Sequence, residues 1–174
     1  MDNDINNKKL SERSLAAIYN DTQREFQNGR QQRSGSVNIG EHLYVAAPRN
    51  RSVEVMAKTR TDDEQYHTRI VFDNIEYVDE ETGETHRFTA SDGQDYIILP
   101  ATYNDTDVKV DCGCLDFRYL FAVWHKRDGS LHGNPPPPYI KKTDRKPVNP
   151  NKVAGLCKHL IKLKDRLVQD NFLK

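Results

Sequence analysis

The chain has few cysteines and no long apolar run. Its three cysteines in 174 residues exclude a closed disulfide framework, because an odd count leaves one thiol unpaired and such frameworks belong to oxidising compartments. No segment approaches the ~20 consecutive apolar residues of a membrane helix. The first ten residues, MDNDINNKKL, contain no apolar core of a signal peptide. We therefore expect a protein of a reducing compartment that does not enter a membrane.

Sequence motifs of several enzyme classes are also absent. The chain contains no phosphate-binding GxxxxGKS/T loop, no GxGxxG, no HExxH and no deaminase-type His-x-Glu with Cys-x-x-Cys. We therefore expect no enzymatic activity and no small-molecule substrate. His125 and His132 suggest a metal-dependent nuclease hairpin, but no second ligand set accompanies them. We interpret both as solvated loop residues, and a nuclease is the least favoured alternative.

Charge is unevenly distributed along the chain. Apolar residues make up 36% and charged residues 30% of the sequence, which predicts one domain with a modest core and substantial loops. The segment 61–107 contains 13 acidic residues against two arginines, whereas the segment 141–174 contains 10 basic residues against three aspartates. A basic C-terminal segment can attract nucleic acid or an acidic protein surface, so both partner classes stay open.

A helix is expected near the N-terminus, over residues 11–26. Leu15, Ile18 and Phe26 fall on one helical stripe, Ser11 can cap the start and Gly29 would end the helix. The residues that follow are rich in Gln, Ser, Gly and Asn, as in a linker. The helix either docks on the domain of its own chain or reaches a neighbouring subunit. We therefore assign residues 1–40 to an N-terminal helical arm and linker.

From residue 42 the hydrophobic period changes to two, which is typical of strands. Seven short β-branched or aromatic runs are separated by turn residues: 42–46, 52–58, 66–72, 75–78, 87–90, 96–99 and 108–112. The sequences around Gly83 and Gly93 are typical of hairpin turns. Strands at this spacing without intervening helices predict an antiparallel sheet.

The segment after Cys114 combines short apolar runs, prolines and basic residues. Residues 115–133 form either a hairpin or a helix followed by a turn. Four prolines at 135–138 enforce an extended conformation, and a basic loop follows them. A final helix is predicted from about residue 156 to 168, with leucines on one stripe. The fold class is thus α+β, with an antiparallel β domain over 41–174, an N-terminal helical arm and a C-terminal helix.

All three cysteines belong to one pattern, Cys112-Gly-Cys114 followed by Cys157-Lys-His159. Three thiolates and one imidazole form a ligand set that zinc accepts in closed tetrahedral sites, whereas soft thiolates disfavour magnesium, calcium and manganese. The pattern therefore predicts one zinc ion at Cys112, Cys114, Cys157 and His159, which staples the C-terminal helix to the sheet. The alternative is three buried, reduced cysteines and a surface histidine.

The spacing within each pair predicts the local structure that the site needs. Side chains two apart in a strand point to the same face, so Cys112 and Cys114 suit a strand. Residues two apart on a helix lie about 200° apart. We therefore place Cys157 in the turn before the last helix and His159 in its first helical turn. That spacing does not suit a catalytic pair in which the His159 imidazole activates the Cys157 thiol.

Residues next to the cysteines are expected to complete the site. Asp111 or Asp116 either accepts a hydrogen bond from His159 or is a plain surface carboxylate. The aromatic side chains of the following segment either form core around the metal or stack on exposed bases. These side chains are Phe117, Tyr119, Phe121 and Trp124.

Cys-x-Cys followed by Cys-x-His at the start of a helix resembles the SWIM-type zinc finger, over about residues 108–170. The resemblance implies that the same four residues bind zinc and that the module mediates interactions with DNA or protein. The spacer of 42 residues between Cys114 and Cys157 is longer than in that family. The stretches VDCGCLDFRY and GLCKHL are also similar to small SWIM-like, virion-associated proteins of large tailed bacteriophages.

These observations favour a non-enzymatic, zinc-binding structural protein in a large assembly such as a phage particle. We expect it to contact other protein subunits through residues 1–40 and the prolines at 135–138, and to lie in the virion or the cytoplasm of a bacterial host. The alternative is a SWIM-type nucleic-acid-binding module. Its phosphate-binding residues would be Lys141, Lys142, Arg145, Lys146, Lys152, Lys162, Lys164 and Arg166.

Overall fold

The computed structural model describes residues 13–137, 140 and 142–174. Within these residues the strands are β1 Asn38–Ala47, β2 Ser52–Thr61, β3 Glu64–Phe72, β4 Tyr77–Val78, β5 His86–Thr89, β6 Asp95–Ile98 and β7 Val108–Cys112. The helices are α1 Leu15–Glu25, α2 Ala122–Asp128 and α3 Lys158–Gln169, and a π-helical turn, Phe117–Phe121, leads into α2. Residues 1–12 of the predicted arm, with Ser11, lie outside the described residues, as do Pro138 and Lys141.

Two antiparallel sheets form the β part of the molecule. The larger sheet has the strand order β1-β2-β3-β7 and the smaller one the order β4-β6-β5. Alternation along β2 gives the larger sheet one inner face, since Val53, Val55 and Ala57 are buried and the residues between them are not. The α+β class with antiparallel strands is therefore confirmed.

Helix α3 packs against β1, β3 and β7 of the larger sheet. Leu160, Leu163 and Leu167 are fully buried, as their helical spacing predicts, and belong to one core cluster with residues of α1 and both sheets. The helix begins two residues later than predicted, because Cys157 has an extended backbone. In the described part of the chain, no helix combines the length and apolar character needed to cross a membrane.

Helix α1 docks on its own chain. Leu15 and Ile18 are fully buried, and the Ser14 hydroxyl caps the helix. Thr22 Oγ1 donates to Ile18 O at 2.8 Å and accepts from the Leu156 N–H at 2.8 Å, which ties α1 to the segment before α3. Of the two alternatives for this helix, the structure has the one in which it packs against its own domain.

The loop around Gly83 does not close a hairpin. The strands on either side of it, β4 and β5, both pair with β6 and not with each other, so the predicted hairpin at Gly83 is wrong. The turn at Gly93 does join β5 to β6. Gly93 has a φ of 80°, and its N–H donates to Ala90 O at 2.9 Å. Residues 115–128 are helical, so this segment is a helix followed by a turn.

Candidate metal centre

Four side chains from distant parts of the sequence meet beside the first turn of α3. The ligand atoms of Cys112, Cys114, Cys157 and His159 all lie within 4.8 Å of one another, and all four residues are buried. Cys112 ends β7, Cys114 precedes the helical residues 115–128 and Cys157 precedes α3. The cluster thus joins the larger sheet, the helical residues 115–128 and α3.

The backbone conformation of Cys157 allows both residues of the second pair to face the cluster. Cys157 has φ −74° and ψ 165°, so it does not share a regular helix with His159 and the 200° offset does not apply. Its Sγ lies 4.0 Å from His159 Nδ1. On the strand side, the Gly113 N–H donates to His67 O at 3.1 Å, which continues the pairing of β7 with β3. The turn expected for Cys157 is confirmed, whereas the strand expected for the first pair ends at Cys112 and Cys114 lies in a bend just after it.

The donor set and its dimensions fit zinc. Zn–S distances of about 2.3 Å and Zn–N distances of about 2.0–2.1 Å place tetrahedral ligand atoms about 3.5–3.8 Å apart. The sulfur–nitrogen distance of 4.0 Å and the upper limit of 4.8 Å lie within about 1 Å of those values, a shift that small side-chain rotations supply. Three thiolates and an imidazole also favour zinc over cations that prefer oxygen.

A threonine of β2 orients the imidazole. His159 Nε2 lies 3.0 Å from Thr61 Oγ1, and the Tyr66 ring packs on the imidazole with a centroid separation of 4.9 Å. Nδ1 therefore faces the sulfur atoms. When Nδ1 acts as a ligand, Nε2 carries the proton and donates to the hydroxyl, an arrangement typical of metal-bound histidines.

Neither aspartate beside the first cysteine pair makes this contact. Asp116 Oδ1 instead lies 3.1 Å from Arg30 Nη2, and burial raises the pKa of both Asp111 and Asp116. The hydrogen bond considered for these carboxylates is thus made by Thr61. Sequence reasoning missed Thr61 because it lies 98 residues before His159 and no local pattern marks it.

Hydrogen-bonding groups lie next to two of the sulfur atoms. The Phe117 N–H donates to Cys114 Sγ at 3.4 Å. Thr68 Oγ1 lies 3.7 Å from Cys112 Sγ and 2.8 Å from Thr59 Oγ1. The backbone donor of Phe117 stabilises negative charge on Cys114 Sγ, which is the state in which sulfur binds a metal.

The three thiols affect one another's ionisation. Burial raises the pKa of the Cys112 thiol and of the Cys157 thiol, while hydrogen bonds from these two thiols lower the pKa of Cys114. A divalent cation beside the sulfur atoms stabilises all three thiolates, so binding of such a cation releases protons.

His125 positions the loop that carries Cys157. Its side chain is fully buried. Nε2–H donates to Gly155 O at 2.9 Å, and Nδ1 lies 2.8 Å from Ser130 Oγ. Because a carbonyl only accepts, the ring is the neutral Nε2–H tautomer, and burial lowers the pKa of His125 to about 4. The interpretation of His125 as a solvated loop residue is wrong, because it lies in α2 and holds the backbone two residues before Cys157.

The basic residues of the C-terminal segment lie in different surroundings. Lys164 is buried, with Nζ 4.2 Å from the centroid of the Tyr19 ring and 2.6 Å from Asp165 Oδ1, so it does not face solvent as a phosphate-binding role requires. Arg166 pairs with Asp170 at 3.0 Å, and Lys162 is half-buried. Five of the predicted phosphate-binding residues are exposed in the described part of the chain: Lys142, Arg145, Lys146, Lys152 and Arg166.

The aromatic residues after Cys114 divide between core and surface. Phe117 and Phe121 are buried, as expected of core. Tyr119 is 53% exposed and Trp124 is half-buried, with the Arg127 guanidinium 5.5 Å from the Trp124 ring centroid. The expectation that all four form core is therefore correct for the two phenylalanines only.

The fold and the cluster define an α+β protein whose buried Cys3His group is consistent with a zinc finger. Comparisons with protein-family models, with curated proteins and with solved structures found no match to this chain. The resemblance to the SWIM-type zinc finger therefore depends on the motif and on the geometry of the cluster.

Proposed function

We propose that this chain is a zinc-binding structural protein without enzymatic activity. One zinc ion, held by Cys112, Cys114, Cys157 and His159, joins the larger sheet to α3. The observation that carries the proposal is the meeting of all three cysteines and one histidine in a buried cluster across a spacer of 42 residues. Zinc at such a site contributes directly to folding.

The site suits a structural ion better than a catalytic one. Four protein ligands fill a tetrahedral shell and leave no position for water or substrate, whereas catalytic zinc keeps one position open. All four residues are buried, which also keeps substrates away. The contact of His159 with Thr61 and the contact of Cys114 with the Phe117 N–H hold the ligands in place.

We propose that the zinc closes the spacer between the two ligand pairs into a loop. This loop then forms a surface that other subunits contact. The described residues at 133–137 and 142–148 are mostly exposed and belong to no helix or strand. The entropic cost of closing such a loop rises only slowly with its length. We propose that the protein is a component of a larger assembly, such as the virion that the resemblance of VDCGCLDFRY and GLCKHL to phage proteins suggests. Contacts through residues 1–40 and the prolines at 135–138, and a location in the virion or the bacterial cytoplasm, stay predictions.

Metal analysis of the purified chain tests the zinc proposal. We expect about one zinc per chain. Cys112→Ser and Cys157→Ser should each lose the metal and unfold the chain from about residue 108 onwards, because metal binding and folding are coupled. His67→Ala, a change at an exposed histidine outside the cluster, should keep both zinc and fold. A fully folded protein that purifies without metal would contradict the proposal.

A nucleic-acid-binding module is the second candidate function. Lys142, Arg145 and Lys146 are exposed within one short segment, where they can contact phosphates. Binding through such residues weakens steeply as salt concentration rises. Fluorescence anisotropy with labelled DNA and RNA at low salt tests it, and replacement of the three residues by alanine should abolish the signal. Undetectable binding by the unaltered protein would remove this candidate.

A further inference from the structure

An apolar stripe lies on the outer side of the helical residues 115–128. Leu115 is 61% exposed, Tyr119 53% and Val123 47%. The three positions are four residues apart, so they share one face of the helix, and we call them the exposed stripe. Scattered exposed apolar residues are ordinary, whereas a contiguous set on one element marks an interaction surface.

A segment of the spacer contacts the same helical residues. Asn149 donates from Nδ2 to Leu120 O at 2.8 Å, and Val148, the residue before it, is 63% exposed. Three of the eight large exposed apolar side chains in the described residues therefore belong to the exposed stripe, and a fourth lies on the spacer segment that contacts this helix.

The exposed charged side chains of the helical residues 115–128 are all positive: Arg118, Lys126 and Arg127. The two carboxylates of this segment are engaged elsewhere, since Asp116 pairs with Arg30 at 3.1 Å and Asp128 accepts from Arg13 at 2.7 Å. The exposed charges on the helix that carries the stripe therefore attract negative charge.

The exposed stripe is held rigid from the inner side of the helix. Phe117 and Phe121 are fully buried beneath it. Cys114 of the Cys3His cluster lies at one end of the stripe. Near the other end, His125 donates a hydrogen bond to Gly155 O. A surface that is already ordered loses little conformational entropy when it binds.

We propose that the exposed stripe binds an amphipathic helix of a partner protein, one with apolar residues on one face and Asp or Glu beside them. This names the partner chemistry for the proposed assembly role and rests on that role. Leu115 and Val123 are eight residues apart, about 12 Å along a helix, so their ridge matches the groove of a partner helix of three or more turns. A second copy of the stripe is a poor occupant, because the cations of the two copies would repel.

Two synthetic peptides provide the test. Both are amphipathic helices of about five turns with leucine on one face; one has Glu and the other Lys at the flanking positions. Binding of both peptides to the full-length protein is measured by isothermal titration, and the zinc content of the same samples is determined. The Glu peptide should bind at least about tenfold more tightly than the Lys peptide, because its charges are complementary to those of the surface.

Matched variants locate the binding surface. Leu115→Ser and Val123→Ser should each weaken binding of the Glu peptide by about tenfold or more, and the exposure of both residues means that the fold is kept. Leu43→Ser is the control, since Leu43 is 53% exposed but lies on β1. The Leu43→Ser variant should bind the Glu peptide with the same affinity as the unaltered protein.

Several outcomes would overturn the inference. These are equal binding of the two peptides, no binding of the Glu peptide, or a loss with Leu43→Ser as large as with Leu115→Ser. Tighter, Leu115-dependent binding of a single-stranded oligonucleotide would assign the surface to nucleic acid instead. A zinc-loaded protein that does not bind the Glu peptide contradicts this inference alone. Specific binding of the Glu peptide by a zinc-free protein contradicts the zinc proposal. It supports the proposal that the exposed stripe binds an acidic amphipathic helix.

Discussion

His159 Nε2 lies 3.0 Å from the hydroxyl of Thr61, a residue 98 positions earlier in the chain. The contact joins the first turn of α3 to the last residue of β2, a strand that supplies no ligand atom to the cluster. It holds the imidazole with Nδ1 towards the sulfur atoms. A hydrogen bond of this kind at the second ring nitrogen both orients a metal-binding histidine and raises its basicity.

Thr61→Val tests this contact, because it removes the hydroxyl and nearly keeps the shape of the side chain. We expect zinc affinity to fall about 10- to 100-fold, the usual effect of losing such a partner. Thr61→Ser, which keeps the hydroxyl, should retain most of the affinity. Competition with a chromophoric chelator measures both variants. Equal zinc affinity of the valine variant and the unaltered protein would show that the hydroxyl does not hold the ring.

Gly155→Ala should destabilise the protein. A Cβ at this position would lie 2.7 Å from Phe121 Cε1 and 3.1 Å from Thr22 Oγ1, and both neighbours are buried. Overpacking of this kind costs about 1–3 kcal/mol, which urea unfolding measures. Gly83→Ala is the matched control, because nothing lies within 4 Å of its added Cβ, and its free energy of unfolding should change by less than about 0.5 kcal/mol. Similar losses at the two positions would count against the close contact.

The folded protein should keep His125 uncharged in mildly acidic solution. Its pKa is lowered to about 4 by burial, whereas an unfolded histidine binds its proton at about pH 6.5. Between these values the unfolded state binds more protons, so this residue's contribution to the free energy of unfolding falls as the pH is lowered from about 6.5 to about 4. Ring-nitrogen NMR shifts at about pH 5.5 should be those of a neutral Nε2–H imidazole. A protonated His125 ring in folded protein at that pH would refute this.

Lys164→Gln should destabilise the fold rather than weaken binding to any nucleic acid. Nζ of Lys164 lies 4.2 Å from the centroid of the Tyr19 ring and 5.6 Å from that of Tyr103. Loss of a buried cation–π contact costs about 1–2 kcal/mol, measurable by urea unfolding. Lys162→Gln, at a half-buried neighbour on α3, should stay within about 0.5 kcal/mol of the unaltered protein. The reverse order of the two effects would contradict a structural role for Lys164.

Features that depend on near neighbours in the chain could be predicted from the sequence. The apolar alternation of β2 and the leucine spacing of α3 each report one face of one element, so both elements were placed to within a few residues. The Cys3His cluster could also be predicted from the sequence, because the two-residue spacing within each pair restricts the local structure that the pair can adopt. An extended Cys157 before a helical His159 follows from the angle between residues on a helix.

Features that depend on distant contacts could not be predicted in the same way. Thr61 and His125 acquire their roles from partners 98 and 30 residues away. The loop at Gly83 has the composition of a hairpin turn, yet pairing of both flanking strands with β6 outweighs that local preference. Lys164 follows the pattern of a solvated helix face, but two tyrosines from other segments cover it.

The exposed residues 142–148, which follow the prolines of the spacer, offer a place to display foreign sequence. A metal-closed loop tolerates added length well, because each doubling adds only about 0.6 kcal/mol of closure entropy. An epitope or reporter peptide inserted between Arg145 and Lys146 would be carried on a frame that the proposed zinc ion fastens at its base. Withdrawal of the ion with a chelator would then loosen the frame and change how the passenger is presented.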